Sequence, residues 1–485
     1  MSDIRNLEPK QLWNYFHDIC QIPHPSKKEE KIIAYMKEFG KNNNLETIVD
    51  KVGNVIFRKP ATKGMENRQG VILQAHLDMV PQKNSDKKHD FEKDPIEPVI
   101  DGEWVRANGT TLGSDNGIGV ASAMAILSSD SIKHGPLEAL FTIDEETGMT
   151  GVFGLKKGLL KGDILMNLDS EDEGELCVGC AGGIDVSVKK KYAEEKTPRG
   201  MVAYSVQLKG LKGGHSGVDI ALGRANSNKL AFRFLMQAEA DFGIRIAEYS
   251  GGDLRNAIPR ESYIVLAVSS AKAADLEKFV KNYDKIYKNE FAETEPTLSF
   301  KAVKTETPAM VMGKDDQRKI IRAVFVCPNG VQRMSQSIED LVETSNNLAI
   351  AKCAKGKFEA HNLTRSSVDS AKMATTWKIA AAFHLIDADV DIKGGYPGWK
   401  PNMQSTALAT LSDVYEKMFG TKPMVKAIHA GLECGILGGI YTNLDMISFG
   451  PTIKYPHSPD EKVNIPSVKK FWDFLLESLK NIPEK

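Results

Sequence analysis

Two histidines and a set of acids, scattered over most of the chain, are the residue types that two divalent metals and one general base would need. They are His76 and Asp78 in HLD, Asp115 in GSDNGIG, Glu145 and Glu146 in DEETG, Asp169 in NLDSEDEGE and His457 in KYPHSP. None of these motifs is diagnostic alone. HLD also describes a surface histidine and aspartate, and GSDNGIG also describes a tight turn capping a helix. DEE is an ordinary acidic turn, and most of the SEDEGE run belongs to solvated loop. His457, between Pro456 and Pro459, is equally an exposed loop imidazole. The combination carries the reading, because so many acids and imidazoles on one rim would be costly without cations.

In an extended segment residues i and i+2 share a face, so Asp78 can hold the second nitrogen of His76 and fix its tautomer. Asp115 suits a carboxylate bridging two metals about 3.5–4 Å apart. Its turn lacks the lysine of a phosphate loop and the GxGxxG spacing, which weakens the phosphate reading. Glu145 and Glu146 point in different directions, so one can bind metal while the other reaches water as general base. Asp169 stands out from the acids after it because it ends the apolar run ILMNL. Mixed nitrogen and oxygen donors favour zinc, two ions per chain, with cobalt or manganese as substitutes.

These groups need a scaffold, and the first 185 residues or so supply one by alternating helix-like and strand-like periods. Helices are expected over 10–22, over 28–43 and in IGVASAMAILSSD, and strands in NVIFRK, GVILQAHLD, LEALFTID and DILMNLD. The run VILQA reads as continuously apolar, as in strands covered on both faces, and ligands gather beyond the carboxyl ends of such strands. His76, Glu145 and Asp169 sit at such ends, and His457 follows the apolar strand MISFG. Near 186–200 the charged stretch VSVKKKYAEEKTPRG reads as a connection. Strands and helices then recur in two comparable series up to about Pro401. A helix STALATLSDVYEKMF, the strand MISFG and a final helix SVKKFWDFLLESL close the chain. The expected fold is α/β. A discontinuous catalytic domain (1–187 and 398–485) has a mixed central sheet flanked by helices. An α/β domain of two related halves (188–397) is inserted into it.

The net charge of −1, with both signs interspersed, argues against nucleic acid as a partner. No stretch approaches the length of a membrane span, and the N-terminus lacks a basic start and apolar core. Six sparse cysteines fit reduced thiols, so cytoplasmic residence is expected. Cys177 and Cys180 form a lone CxxC, which without a second pair reads as strand cysteines rather than a zinc or redox motif.

HLDMV, GSDNGIG, DEETG, NLDSEDEGE and YPHSPDE together resemble the zinc-dependent aminoacylase, carboxypeptidase and carnosinase family. GMENRQGVILQAHLDMVPQ, TTLGSDNGIG, GGHSGVDI, RNAIPRE and HAGLECG resemble its branch of dipeptidases acting on aminoacyl-histidine substrates. The resemblance implies that His76, Asp115 and Asp169 hold one zinc and Asp115, Glu146 and His457 the other. It implies Glu145 as general base and later proton donor, Asp78 as support for His76, and a cis peptide at Asp115-Asn116. It also implies that His215 of GGHSG, in the inserted lid, polarises the scissile carbonyl. Asn256 and Arg365 are further substrate contacts by the same resemblance, and Arg365 could clamp a terminal carboxylate bidentately. Gly431 would let substrate backbone approach closely, while Glu433 could meet an amino terminus or be structural. The implied substrate is a small dipeptide. Competing readings are an N-acyl amino acid deacylase on the same metal core and a metal-dependent binding protein that no longer turns over. A homodimer formed through the insert is compatible with the resemblance, as is a duplicated insert making those contacts within one chain.

Overall fold

The computed structural model describes residues 3–485. The chain divides into two compact units. One comprises residues up to Gly179, Pro401–Ala427 and Leu432–Lys485, and the other comprises Cys180–Lys400 and Ile428–Gly431.

The first unit is built on a mixed eight-stranded sheet. Its centre is four parallel neighbours in the order Leu137–Thr142, Val71–His76, Ile164–Asn167 and Asp445–Ser448. Every residue of Val71–His76 is buried, because helices pack on the sheet. Ser114–Leu127 lies on that strand and under Lys10–Cys20, and it is buried on nearly all sides, which is why its sequence is apolar all round. Lys10–Cys20 instead buries one stripe, Leu12, Trp13, Phe16 and Ile19, at about 1.5–3 kcal/mol per large apolar side chain. Thr406–Phe419 packs on Ile465–Asn481 and on Asp445–Ser448. Both helices start on a side-chain cap, Ser405 accepting from the Leu408 N–H and Asn464 from the Ser467 N–H.

VILQA proves not to be uniformly apolar inside. Gln74 and Asn167 are fully buried and joined by a hydrogen bond of 2.5 Å across adjacent strands. A second small sheet was not expected from sequence. Its strands, Ile453–Lys454, Lys462–Asn464, Trp104–Ala107 and Pro98–Asp101, are two to four residues long, too short for periodicity to register. It matters because His457 lies in the connection between Ile453–Lys454 and Lys462–Asn464, and not at the end of the MISFG strand itself.

The second unit carries a nine-stranded antiparallel sheet. Its main order is Ser299–Thr305, Met201–Lys209, Ser262–Ser269, Arg245–Gly251, Val342–Ala354, Lys357–Ser366, Gly182–Lys191, Asp389–Tyr396. The first four strands and the last four repeat one another in mirrored order about the Arg245–Gly251 and Val342–Ala354 pair. Helices Ser227–Phe242 and Ala273–Glu290 serve one half, and Lys314–Val326 and Asp369–His384 the other. Together with the sheet they enclose one hydrophobic cluster. The charged stretch read as a connection near 186–200 begins inside an inner strand, Gly182–Lys191. There Val186 and Val188 alternate into the core while Ser187 and Lys189 point away. The lysines masked a period of two.

Candidate metal centre

Parallel strands end on one side, so the four central strands deliver their carboxyl ends to a common rim. His76 is the last residue of its strand, and Asp169 follows Asn167 by two. Glu145 and Glu146 open a four-residue helix, Glu145–Gly148, just after Leu137–Thr142. Asp115 enters from Ser114–Leu127, where it and Asn116 keep non-helical dihedrals and the peptide between them is cis.

Six of the residues singled out by sequence converge here. His76 Nε2 lies 3.2 Å from Asp115 Oδ1 and 3.3 Å from Asp169 Oδ1. His457 Nε2 lies 3.3 Å from Asp115 Oδ2 and 2.9 Å from Glu146 Oε2. Asp115 therefore turns one oxygen to each histidine. Donor atoms of His76, Asp115 and Asp169 lie within 4.8 Å of one another, and so do those of Asp115, Glu146 and His457. Glu145 joins a third such group with His76 and Glu146.

The electrostatics fit cations. Burial raises the Asp169 carboxyl to about 6 against the pull of His76, and burial pushes Glu145 well above the usual carboxylate range. Burial also opposes ionisation of Asp115, but its bonds to His457 and His76 win and hold it low. The hydrogen bond to Asp115, followed by that to Glu146, raises His457 to about 11. Glu146 Oε1 is buried and among the described residues has no hydrogen-bond partner, while its Oε2 meets a histidine nitrogen. An anionic cluster with an unpaired buried oxygen is what a bound divalent cation would neutralise.

Asp78 does more than support an imidazole. His76 Nδ1 is 3.0 Å from the Asp78 carbonyl and 3.5 Å from its Oδ1. The same carboxylate accepts the Glu145 N–H at 3.0 Å, the Glu146 N–H at 3.3 Å and the Ser26 hydroxyl at 2.8 Å. Burial disfavours its charge, yet the His76 contact and these donors hold it at about 2. Asp78 also lies in a buried triad with Glu29 and Asp144. There Glu29 accepts the Lys27 and Asp144 N–H groups, and Asp144 accepts the Thr147 and Thr150 hydroxyls. Hydrogen-bond donors thus satisfy this triad without a cation.

Below the rim a polar ladder, not expected from sequence, crosses all four central strands. Glu433, fully buried, accepts from Gln74 Nε2 at 2.6 Å and Thr142 Oγ1 at 2.7 Å. Gln74 accepts from Asn167, which accepts from Ser448 at 2.5 Å, and Ser448 meets Ser170 at 2.8 Å. Burial raises Glu433 to about 8, and its Oε1 has no partner.

The remaining candidates belong to the second unit. His215 pairs through the two-residue strand Gly214–His215 with Ala257–Ile258. Its Nδ1 accepts from the N–H groups of Gly217 at 3.2 Å and Val218 at 3.1 Å, which assigns the ring proton to Nε2. Burial and then Arg365 lower its proton affinity, so it stays neutral. Arg365 is 5% exposed, and among the described residues its side chain reaches only neutral groups. These are Ser216 Oγ at 3.4 Å, Tyr396 Oη at 3.2 Å and His215 Nε2 at 3.4 Å. Two donors, the Arg365 guanidinium and His215 Nε2–H, thus lie 3.4 Å apart, so this contact is not a hydrogen bond. His429, bonded to Ser345 Oγ at 2.7 Å, is lowered to about 3 by burial and by Arg365. Asn256 is exposed and enters this cluster through its carbonyl, which accepts the Ser216 N–H at 2.8 Å. At Gly431 a Cβ would come 3.0 Å from the Tyr396 hydroxyl, so the close approach this glycine permits is that of Tyr396. Cys177 and Cys180 lie in the strand Glu175–Cys180 and belong to none of the clustered donor groups.

Residues 72–481 match the model of peptidase family M20/M25/M40. The chain belongs to that family. It is 47% identical over 487 residues to the cytosol non-specific dipeptidase of Escherichia coli (strain K12), covering 100% of both chains. Its fold superposes with a TM-score of 0.96 and 48% identity on the crystal structure of aminoacylhistidine dipeptidase from Vibrio alginolyticus, over 100% of this chain and 99% of that one. Aminopeptidase PepT from Bacillus cereus shares the fold alone, with a TM-score of 0.57 and 16% identity over 98% and 99% of the two chains. The protein is accordingly a metallopeptidase of α/β fold. Among the described residues no helix is long and apolar enough to cross a membrane.

Proposed function

We propose that this member of the family is a cytoplasmic dizinc dipeptidase that cleaves unblocked dipeptides, Xaa-His among them. His76, Asp115 and Asp169 hold one metal, and Asp115, Glu146 and His457 hold the other. The observation that carries the reading is the division of Asp115, one oxygen toward each histidine. When bound, the two metals supply Lewis acidity at the carbonyl and make water easier to deprotonate.

The chain's own residues supply the proton path. Glu145, whose buried carboxyl favours holding a proton, takes one from the attacking water as the C–O bond forms. It returns that proton to the leaving amine as the C–N bond breaks. Asp78 keeps Glu145 and Glu146 in register through their backbone N–H groups. His215 Nε2–H is the donor assigned to the developing oxyanion, and the insert acts as the lid. Arg365, buried without an ionic partner, is assigned to the substrate's terminal carboxylate. The 47% identity to a cytosol non-specific dipeptidase supports a dipeptidase over a deacylase.

Metal analysis coupled to a substrate panel tests this. Xaa-His and other dipeptides, their N-acetyl forms and N-acyl amino acids are assayed on protein of known zinc content. The expected result is two zinc per chain with turnover confined to free dipeptides. Preferred cleavage of the acyl amino acids would replace the reading by deacylation, and no turnover of any substrate would favour a binding protein.

A further inference from the structure

We infer that Glu461 is a positioning residue that ties the loop of His457 to the loop of Asp115 and thereby sets the strength of metal binding. The inference rests on the assignment of those two residues as ligands. Glu461 is 2% exposed, and among the described residues no cationic side chain pairs with it. Its Oε2 accepts the N–H groups of Leu112 at 2.8 Å and Gly113 at 3.1 Å. Its Oε1 accepts the Ser114 N–H at 2.8 Å, the Ser114 hydroxyl at 2.6 Å and the Asp115 N–H at 3.4 Å.

One carboxylate thus takes every donor of the turn that leads into Asp115. That turn needs an outside partner, because Gly113 is left-handed and Asp115 and Asn116 are non-helical, so the first N–H groups of the helix have no acceptor of their own. Glu461 itself sits four residues after His457, in a loop where Tyr455 and His457 both hold positive φ. Its own N–H donates to the Ser458 carbonyl at 2.9 Å, closing that loop beneath the histidine. Two ligands more than 300 residues apart in sequence are therefore registered against each other through one side chain. His76 and Asp169 come from strand ends instead.

The test is Glu461→Gln, which keeps the shape but turns an amide N–H2 toward at least one of the turn's donors. Apo protein, confirmed folded by circular dichroism, is titrated with zinc against a competing chelator. At least one of the two dissociation constants is expected to rise roughly 10- to 100-fold, the usual cost of losing a partner that orients a ligand. A role in folding alone would lower the apo unfolding midpoint and leave both constants as in the parent, which would overturn the inference. If Glu461→Gln does not fold, Glu461→Asp, which keeps the charge and shortens the reach, is titrated with the same two outcomes. Asp115→Asn and His457→Ala serve as controls. If both keep two zinc ions at parental affinity, the ligand assignment falls and this inference with it. Weakened binding in the controls with unchanged constants at position 461 removes the brace alone.

Discussion

Replacing Arg365 by Met should make the protein more stable and less active at once. The guanidinium is buried at 5% exposure, and its two hydrogen bonds, to Ser216 Oγ at 3.4 Å and Tyr396 Oη at 3.2 Å, are long and go to neutral groups. Burying a cation without an anion costs several kcal/mol even after relaxation, and two weak neutral hydrogen bonds return roughly 0.5–1 kcal/mol each. Removing the charge while keeping most of the volume should therefore raise stability by about 1–2 kcal/mol. For a domain of this size that is a rise in unfolding midpoint of roughly 2–8 °C. The effect on catalysis has the opposite sign. A terminal carboxylate held by two charge-assisted bonds gains about 1.5–3 kcal/mol from each, so kcat/KM for a dipeptide should fall at least about 100-fold. The same dipeptide as its C-terminal amide offers no anion, and the variant should lose less than about tenfold on it. Calorimetry and paired kinetics on acid and amide substrates give all three numbers. A destabilised variant that loses acid and amide activity equally would refute the reasoning, since Arg365 would then be a structural group.

Glu145→Ala should abolish turnover while zinc content stays near two per chain, measured by metal analysis; retained activity would remove Glu145 as base. Asp78→Ala leaves the Glu145 and Glu146 N–H groups without their acceptor and should lower kcat roughly 10- to 100-fold with a smaller change in KM. His429 makes stability fall with acid. Its folded value near 3 lies below its ordinary 6.5, so the unfolded chain binds a proton first as pH drops, and stability present above pH 6.5 is lost progressively toward pH 3. Between pH 6.5 and 5 that amounts to about 2 kcal/mol, and urea titrations of His429→Gln should lack this component. Stripping metal with a chelator should lower the unfolding midpoint, and added zinc should restore it in a concentration-dependent way.

Much of the scaffold was legible because the strands around the rim are buried along their whole length and rich in apolar residues. Val71–His76, Leu137–Thr142 and Ile164–Asn167 all read directly from sequence, and their shared direction explains why acids far apart in the chain meet. What stayed hidden had short range or disguised periodicity. The strands around His457 span two to four residues, and Gly182–Lys191 hides its alternation under lysines. The cluster around Arg365 was half legible: Arg365 and His215 carried motifs, but Tyr396 and Ser345 reach it only through tertiary packing. Glu433 was visible in HAGLECG, yet nothing local reveals that Gln74 and Thr142 would satisfy one of its oxygens and leave the other bare.

The motifs carry more acids than a metal pair needs, and the structure supplies a criterion that divides them. Asp78, Asp144, Glu29 and Glu461 are buried, and the contacts of each include backbone N–H or hydroxyl donors. Asp115, Asp169 and Glu146 point oxygens at histidine nitrogens, and Glu146 keeps one buried oxygen bare. A carboxylate whose lone pairs are taken up by fixed donors gains little from a cation, whereas one facing an imidazole in a desolvated cluster gains much. Hydrogen-bond saturation therefore separates braces from ligands where residue type cannot. The two kinds alternate within single motifs, His76 beside Asp78, Glu146 beside Asp144 and His457 beside Glu461. These three candidate ligands thus arrive with a buried, hydrogen-bonded carboxylate a few residues away, whereas Asp115 is held from a distant segment by Glu461.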